Sequence, residues 1–115
     1  MSLGSLNRAH AKLQVHAPIF AALGDGTRLL LVGKLSDGQA YSISELTRGS
    51  RLTRQAITKH LGVLNRAGIV SSRRMGRERR FELNLRPIGE MKDYLDRVSE
   101  QWDRALSRLK SFVED

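Results

Sequence analysis

At 115 residues and 40% apolar content, the chain suits one small domain with a modest core and leaves no room for a second. It has no cysteine, which excludes disulfides and thiolate metal sites, and no apolar run near the roughly 18 residues of a membrane span. The net charge of +8 is unevenly placed: residues 48–86 hold eleven Lys and Arg against two Glu, and the remainder is close to neutral.

A basic excess confined to one third of the chain implies a polyanionic partner, where an evenly basic chain implies only solubility. The opening MSLGSLNRAHAKLQ lacks the apolar stretch of a signal peptide. Residues 1–14 read as an N-terminal extension, with 1–5 resembling an expression-tag remnant. These features predict a cytoplasmic protein with no membrane partner.

The first periodic segment is VHAPIFAALGDG, where Val15, Ile19, Phe20 and Leu23 fall at helical spacing before Gly24. Asp25 is placed to cap a second helix, TRLLLVGKL, with Leu31, Val32 and Leu35 facing inward and Ser36-Asp37-Gly38 ending it. In SISELTRGS, Ser42 and Glu45 stand three apart, the spacing of a capping box on a short helix whose core residues are Ile43 and Leu46.

A few residues later, Thr53 is a natural N-cap and Gly68 a natural stop for QAITKHLGVLNRA. Ile57, Leu61 and Leu64 form its apolar stripe; Arg54, Gln55, Thr58 and Lys59 lie away from it. Two short helices with a tight connection, the second basic on its outer face, predict a helix-turn-helix over 42–67.

GIVSSRR then reads as a strand, MGRE as a turn, and RRFELNL as a returning strand in which Phe81, Leu83 and Leu85 alternate with polar residues. The resulting hairpin, 69–85, carries five arginines in the ten residues of SRRMGRERRF, suited to phosphates or a minor groove. Pro87 opens a long helix, 87–113, on which Ile88, Met91, Leu95, Val98, Trp102, Ala105, Leu109 and Phe112 alternate spacings of three and four. A stripe of that length predicts cover from a second subunit, together with the first helix.

The fold class that results is mainly α with a small β-hairpin wing: a winged helix-turn-helix dimerised through its terminal helices. FAALGDGTRLLLVGKL, and SISELTRGSRLTRQAITKHLGVLNRAGIVSSRRMGRERRFEL after it, resemble the ArsR-type winged-helix repressors, over residues 15–113. The stretch KHLGVLNRAGIV carries most of that resemblance. It implies a homodimeric transcriptional repressor on an inverted-repeat operator. Gly26 stands where the family pattern has proline, and Arg51 where the turn often has glycine. Members that sense metals carry a cysteine pair or Asp/His/Glu clusters; here His10, His16 and His60 are scattered, so no metal and no cofactor is expected.

The expected DNA contacts are Thr53, Arg54, Gln55, Thr58, Lys59 and His60 on the reading helix and Arg74, Arg77 and Arg79 on the wing. Arg73 and Arg80 are the wing arginines expected to turn toward the body. Ile19, Met91, Leu95, Val98, Trp102 and Leu109 are the expected dimer interface. There is no cysteine nucleophile, no phosphate-binding glycine loop and no G-x-S-x-G, so no enzyme is expected. The competing reading is a winged-helix module that binds nucleic acid without sequence preference, or a protein partner. The effector is not legible.

Overall fold

The structure, a computed structural model, describes residues 14–114, which divide into a unit ending at Leu85 and a unit beginning at Arg86. The first contains α1 (Gln14–Leu23), α2 (Gly26–Leu35), β1 (Tyr41–Ser42), α3 (Ile43–Thr47), α4 (Arg54–Arg66), β2 (Val70–Met75) and β3 (Glu78–Leu83). The second is essentially α5 (Leu85–Glu114). No single described helix is long and apolar enough to cross a membrane.

Helices α2, α3 and α4 each begin where a side chain satisfies leading N–H groups. Asp25 Oδ1 accepts from the backbone N–H of Thr27 at 2.9 Å and of Arg28 at 3.1 Å. Ser42 Oγ accepts from Glu45 N–H at 3.1 Å while Glu45 Oε1 accepts from Ser42 N–H at 3.0 Å, the reciprocal capping box. Thr53 Oγ1 accepts from Ala56 N–H at 3.1 Å. Helix α4 ends in a Schellman turn: Ile69 N–H donates to Leu64 O and Gly68 N–H to Asn65 O, both at 2.9 Å, with Gly68 at φ +80°.

The core gathers one face from each element. Leu31 and Leu35 come from α2, Leu46 from α3, and Ile57, Leu61 and Leu64 from α4, none more than 2% exposed. Truncating a leucine buried this completely costs about 2–5 kcal/mol. The turn between α3 and α4 is reached through Gly49 at φ +76°, two residues ahead of Arg51, so glycine serves the turn from an earlier position.

The sheet is antiparallel in the order β1-β3-β2. Strand β1 went unread in the sequence, because two residues are too few to show alternation. Pairing of Tyr41 with Phe81 and Ser42 with Arg80 nevertheless gives the hairpin a third strand at its base. In the hairpin, Val70 faces Leu83 and Met75 faces Glu78 across the two-residue turn Gly76-Arg77. Gly76 has φ +68° and Arg77 is not left-handed, the pattern of a type II′ turn.

Strand β3 stops earlier than its alternation suggests. Leu85, expected as an inward strand residue, is the first residue of α5 and 74% exposed. Asn84 makes the change: its N–H donates to Ile69 O at 2.8 Å, its side-chain amide to Gly68 O at 2.8 Å, and its Oδ1 accepts from Ser71 Oγ at 3.0 Å. Pro87 then falls in the first turn of α5, where its missing N–H costs nothing.

Helix α5 has 30 residues, about 45 Å of helix. Its polar side carries the pairs Arg86–Glu90 and Lys92–Asp96, too exposed to matter much for stability. Its apolar side leaves Leu95, Trp102, Leu106, Leu109, Phe112 and Val113 exposed, and Val98 half-buried. Of the residues expected at a dimer interface, Ile19 is 8% exposed.

Candidate nucleic-acid interface

The outer face of α4 is exposed from its first turn onward. Arg54, Gln55, Thr58 and Lys59 line one open hollow of about 530 Å³. Gln55 and Lys59 have no hydrogen-bond or ion-pair partner among the described residues. Arg54 is anchored: its Nη1 donates to Ser44 Oγ on α3 at 2.7 Å, leaving its other N–H groups outward. Thr58 Oγ1 donates to the Arg54 carbonyl at 2.7 Å, so its hydroxyl proton is used within the helix. What Thr58 presents outward is an acceptor and a methyl group.

His60 is half-buried and turned toward the body. Its Nδ1 lies 3.4 Å from Arg28 Nη1 and 3.9 Å from Asp25 Oδ1. The Asp25 carboxyl is held below the usual carboxylate range, chiefly by the Arg28 N–H it accepts, with the Arg28 guanidinium charge adding to this. Among the described residues, no three His, Asp or Glu side chains converge as metal ligands would.

The pleat of the hairpin sorts the wing arginines into two faces. Arg73 pairs with Arg80 across the strands, and on their face stand Glu78 and Glu82. Arg73 Nε is 3.6 Å from Glu82, and Arg80 is bonded to both Glu45 and Glu78. The next pair, Arg74 with Arg79, projects from the opposite face. Among the described residues, no carboxylate lies within 4 Å of either, Arg79 donates only to Ser72 Oγ at 3.0 Å, and Arg74 has no partner. Like charges directly opposite on a ribbon are destabilising. A polyanion on that face removes the repulsion.

The turn brings the wing back to the helices. A hollow of about 270 Å³ between wing and α3 is lined by Ser42, Ser44, Arg54, Arg77, Glu78 and Arg79. Arg54 thus borders both this hollow and the one on α4, so the two basic surfaces are continuous. Of the residues named from the sequence, Arg54, Gln55, Thr58 and Lys59 share the first hollow, and Arg54, Arg77 and Arg79 the second. Thr53 caps α4 beside them, and Arg74 points from the bare face of the wing. Ser44 was missed; a serine two residues into a capping box carries no sequence signal for a partner ten residues on.

A sequence profile described as bacterial regulatory protein, arsR family, matches residues 25–72. The chain is 43% identical over 76 residues to the uncharacterized HTH-type transcriptional regulator YuzN of Bacillus subtilis (strain 168), covering 61% of this chain and 83% of that protein. It is 33% identical over 93 residues to the HTH-type transcriptional regulator Rv2034 of Mycobacterium tuberculosis, covering 81% and 83%. Among solved structures, an ArsR-like transcriptional regulator from Rhodococcus sp. RHA1 is similar with a TM-score of 0.70 and 34% identity, covering 89% of this chain and 95% of that one.

Proposed function

The chain belongs to the arsR family of bacterial regulatory proteins and is a DNA-binding transcriptional regulator, and on that premise we propose a homodimeric repressor that reads an inverted-repeat operator. Helix α4 enters the major groove, with Gln55, Thr58 and Lys59 at base edges and Arg54 and Thr53 near the backbone. Glutamine suits adenine, and an acceptor with a methyl group suits thymine or an exocyclic amine. The wing places Arg74, Arg77 and Arg79 on phosphates or in the adjacent minor groove. His60, with its Nδ1 turned to Arg28 and Asp25, joins α4 to α2 instead of reading DNA.

The observation that carries this reading is the arginine face without carboxylates, Arg74 and Arg79, on a surface continuous with the outer face of α4. Dimerisation is supported by the exposed stripe of α5, where Trp102 is 61% and Phe112 82% exposed. An apolar surface of that kind marks an interaction site. Two copies of α4 then sit about 34 Å apart, one turn of the duplex. Nothing in the site calls for catalysis, the relatives are regulators, and we read the chain as a non-enzyme acting in the cytoplasm.

The test is fluorescence anisotropy with the duplex upstream of the protein's own gene and a scrambled duplex, across a salt series. The expected result is preference for the upstream duplex, relaxed by Gln55→Ala. Arg77→Ala weakens both duplexes alike and lowers the salt slope by about one. Equal binding to both duplexes favours a module that coats nucleic acid. No binding at about physiological salt overturns the repressor reading.

A further inference from the structure

Arg80 is the wing arginine that does not face outward. From the middle of β3 its Nη1 bonds Glu45 Oε1 at 2.9 Å and the Ala40 carbonyl at 3.1 Å, while its Nη2 reaches Glu78 Oε2 at 3.3 Å. Glu45 belongs to α3, where the same Oε1 closes the capping box on Ser42 N–H. Its neighbour Ser44 holds the guanidinium of Arg54, the first residue of α4. Two successive residues of a five-residue helix therefore hold the start of the reading helix on one side and the wing on the other.

The wing needs such a tie. An isolated two-stranded ribbon is marginal in water, and the third strand supports it over only two residues. From Arg73 to Arg79 every residue of the hairpin is exposed, so no core contact fixes the direction of the tip. Charge-assisted hydrogen bonds from one planar guanidinium to Glu45 on α3 and to the Ala40 carbonyl, with Glu78 of its own strand as a third acceptor, tie the wing to the body in a fixed direction.

We propose that Glu45 and Arg80 are positioning residues for DNA binding, a latch that aims the wing's Arg77 and Arg79 relative to α4. The latch rests on the reading of the wing as a DNA contact. It makes a prediction opposite in sign to simple electrostatics. Glu45 is a negative charge within the basic surface, and removing it should by charge alone tighten binding to a polyanion. If Glu45 instead holds Arg80 in place, removing its charge frees the wing and weakens binding.

The experiment uses the full chain and a labelled mixed-sequence duplex, because phosphate contacts carry no sequence. Glu45→Gln keeps an oxygen for the capping box and loses only the charge. It is expected to weaken binding by about threefold or more, the scale of one lost hydrogen bond, with circular dichroism unchanged and the chain still folded, at a slightly lower melting temperature. Arg77→Ala is expected to cost less in the Glu45→Gln background than in the parent. Arg80→Met, which keeps the length of the side chain, should weaken binding too, and the double variant with Glu45→Gln should be no weaker than Arg80→Met alone.

Unchanged or tighter binding by Glu45→Gln overturns the latch, as does an Arg77→Ala effect equal in both backgrounds. If Glu45→Gln unfolds, Arg80→Met with and without Arg77→Ala gives the same comparison. A parent whose binding ignores Arg77→Ala shows that the wing does not touch DNA. That outcome removes the latch through its premise and is distinct from failure of the latch itself.

Discussion

Arg28 and His60, 32 residues apart in sequence, meet with Nη1 of one 3.4 Å from Nδ1 of the other. A guanidinium only donates, so the ring nitrogen is the acceptor. The Nε–H of Arg28 donates to the Ala22 carbonyl at the end of α1, and its backbone N–H is capped by Asp25. One residue thus ties the end of α1, the start of α2 and the middle of the reading helix.

Removing that tie leaves the carbonyl of buried Ala22 without its side-chain donor. Arg28→Ala is expected to lower stability by about 1–3 kcal/mol, the cost of an unsatisfied buried acceptor. Arg28→Lys should recover part of it, since an ammonium reaches one of the two partners that the guanidinium holds. Urea midpoints of the two variants check the order; equal stability of Arg28→Ala and the parent refutes it.

Acid should loosen the same region and the latch together. The Asp25 and Glu45 carboxyls lie below their ordinary values of 3.8 and 4.5, held down first by the backbone N–H groups of Arg28 and Ser42 respectively. A lowered folded pKa contributes stability that is present above the ordinary value and lost as pH falls through the folded one. The melting temperature should therefore hold down to about pH 5 and fall below it. Asp25→Asn, which keeps a cap that does not titrate, should give a shallower acid limb. An identical limb in parent and variant would count against the assignment.

The sole tryptophan reports on assembly. Trp102 is 61% exposed on the stripe of α5 that a second copy is proposed to cover. Its emission should shift to the blue as protein concentration rises, and sedimentation should show the change from one chain to two. Trp102→Glu should hold the chain monomeric and weaken operator binding by about tenfold or more, since each half-site is then bound alone. Emission independent of concentration, with a monomer throughout, would refute the interface.

The sequence was most informative where one residue type answers a local need. Asp25, the Ser42–Glu45 box, Thr53 and Gly68 are read from spacing alone because capping is a matter of three or four residues. The hairpin was legible from its turn glycine and its alternation. What escaped depends on parts of the chain far apart. Strand β1 exists only because β3 is there to pair with it. Arg80 turns toward the body as its place in the strand suggests, but its partner Glu45, 35 positions away, is not marked in the string of arginines. The two faces of the ribbon were therefore readable from alternation, and the partners that neutralise one of them were not.

Those two faces are set by register, and register is set at the other end of the hairpin. Phe81, 8% exposed, pins β3 in the core two residues from Arg79. A slip of β3 by one position would exchange the bare face for the neutralised one. The ring acts as an index pin for a charge pattern it never meets. Relatives that differ at apolar positions near it can thus diverge in affinity while every arginine stays the same, and a hunt for specificity confined to the surface would overlook where the change began.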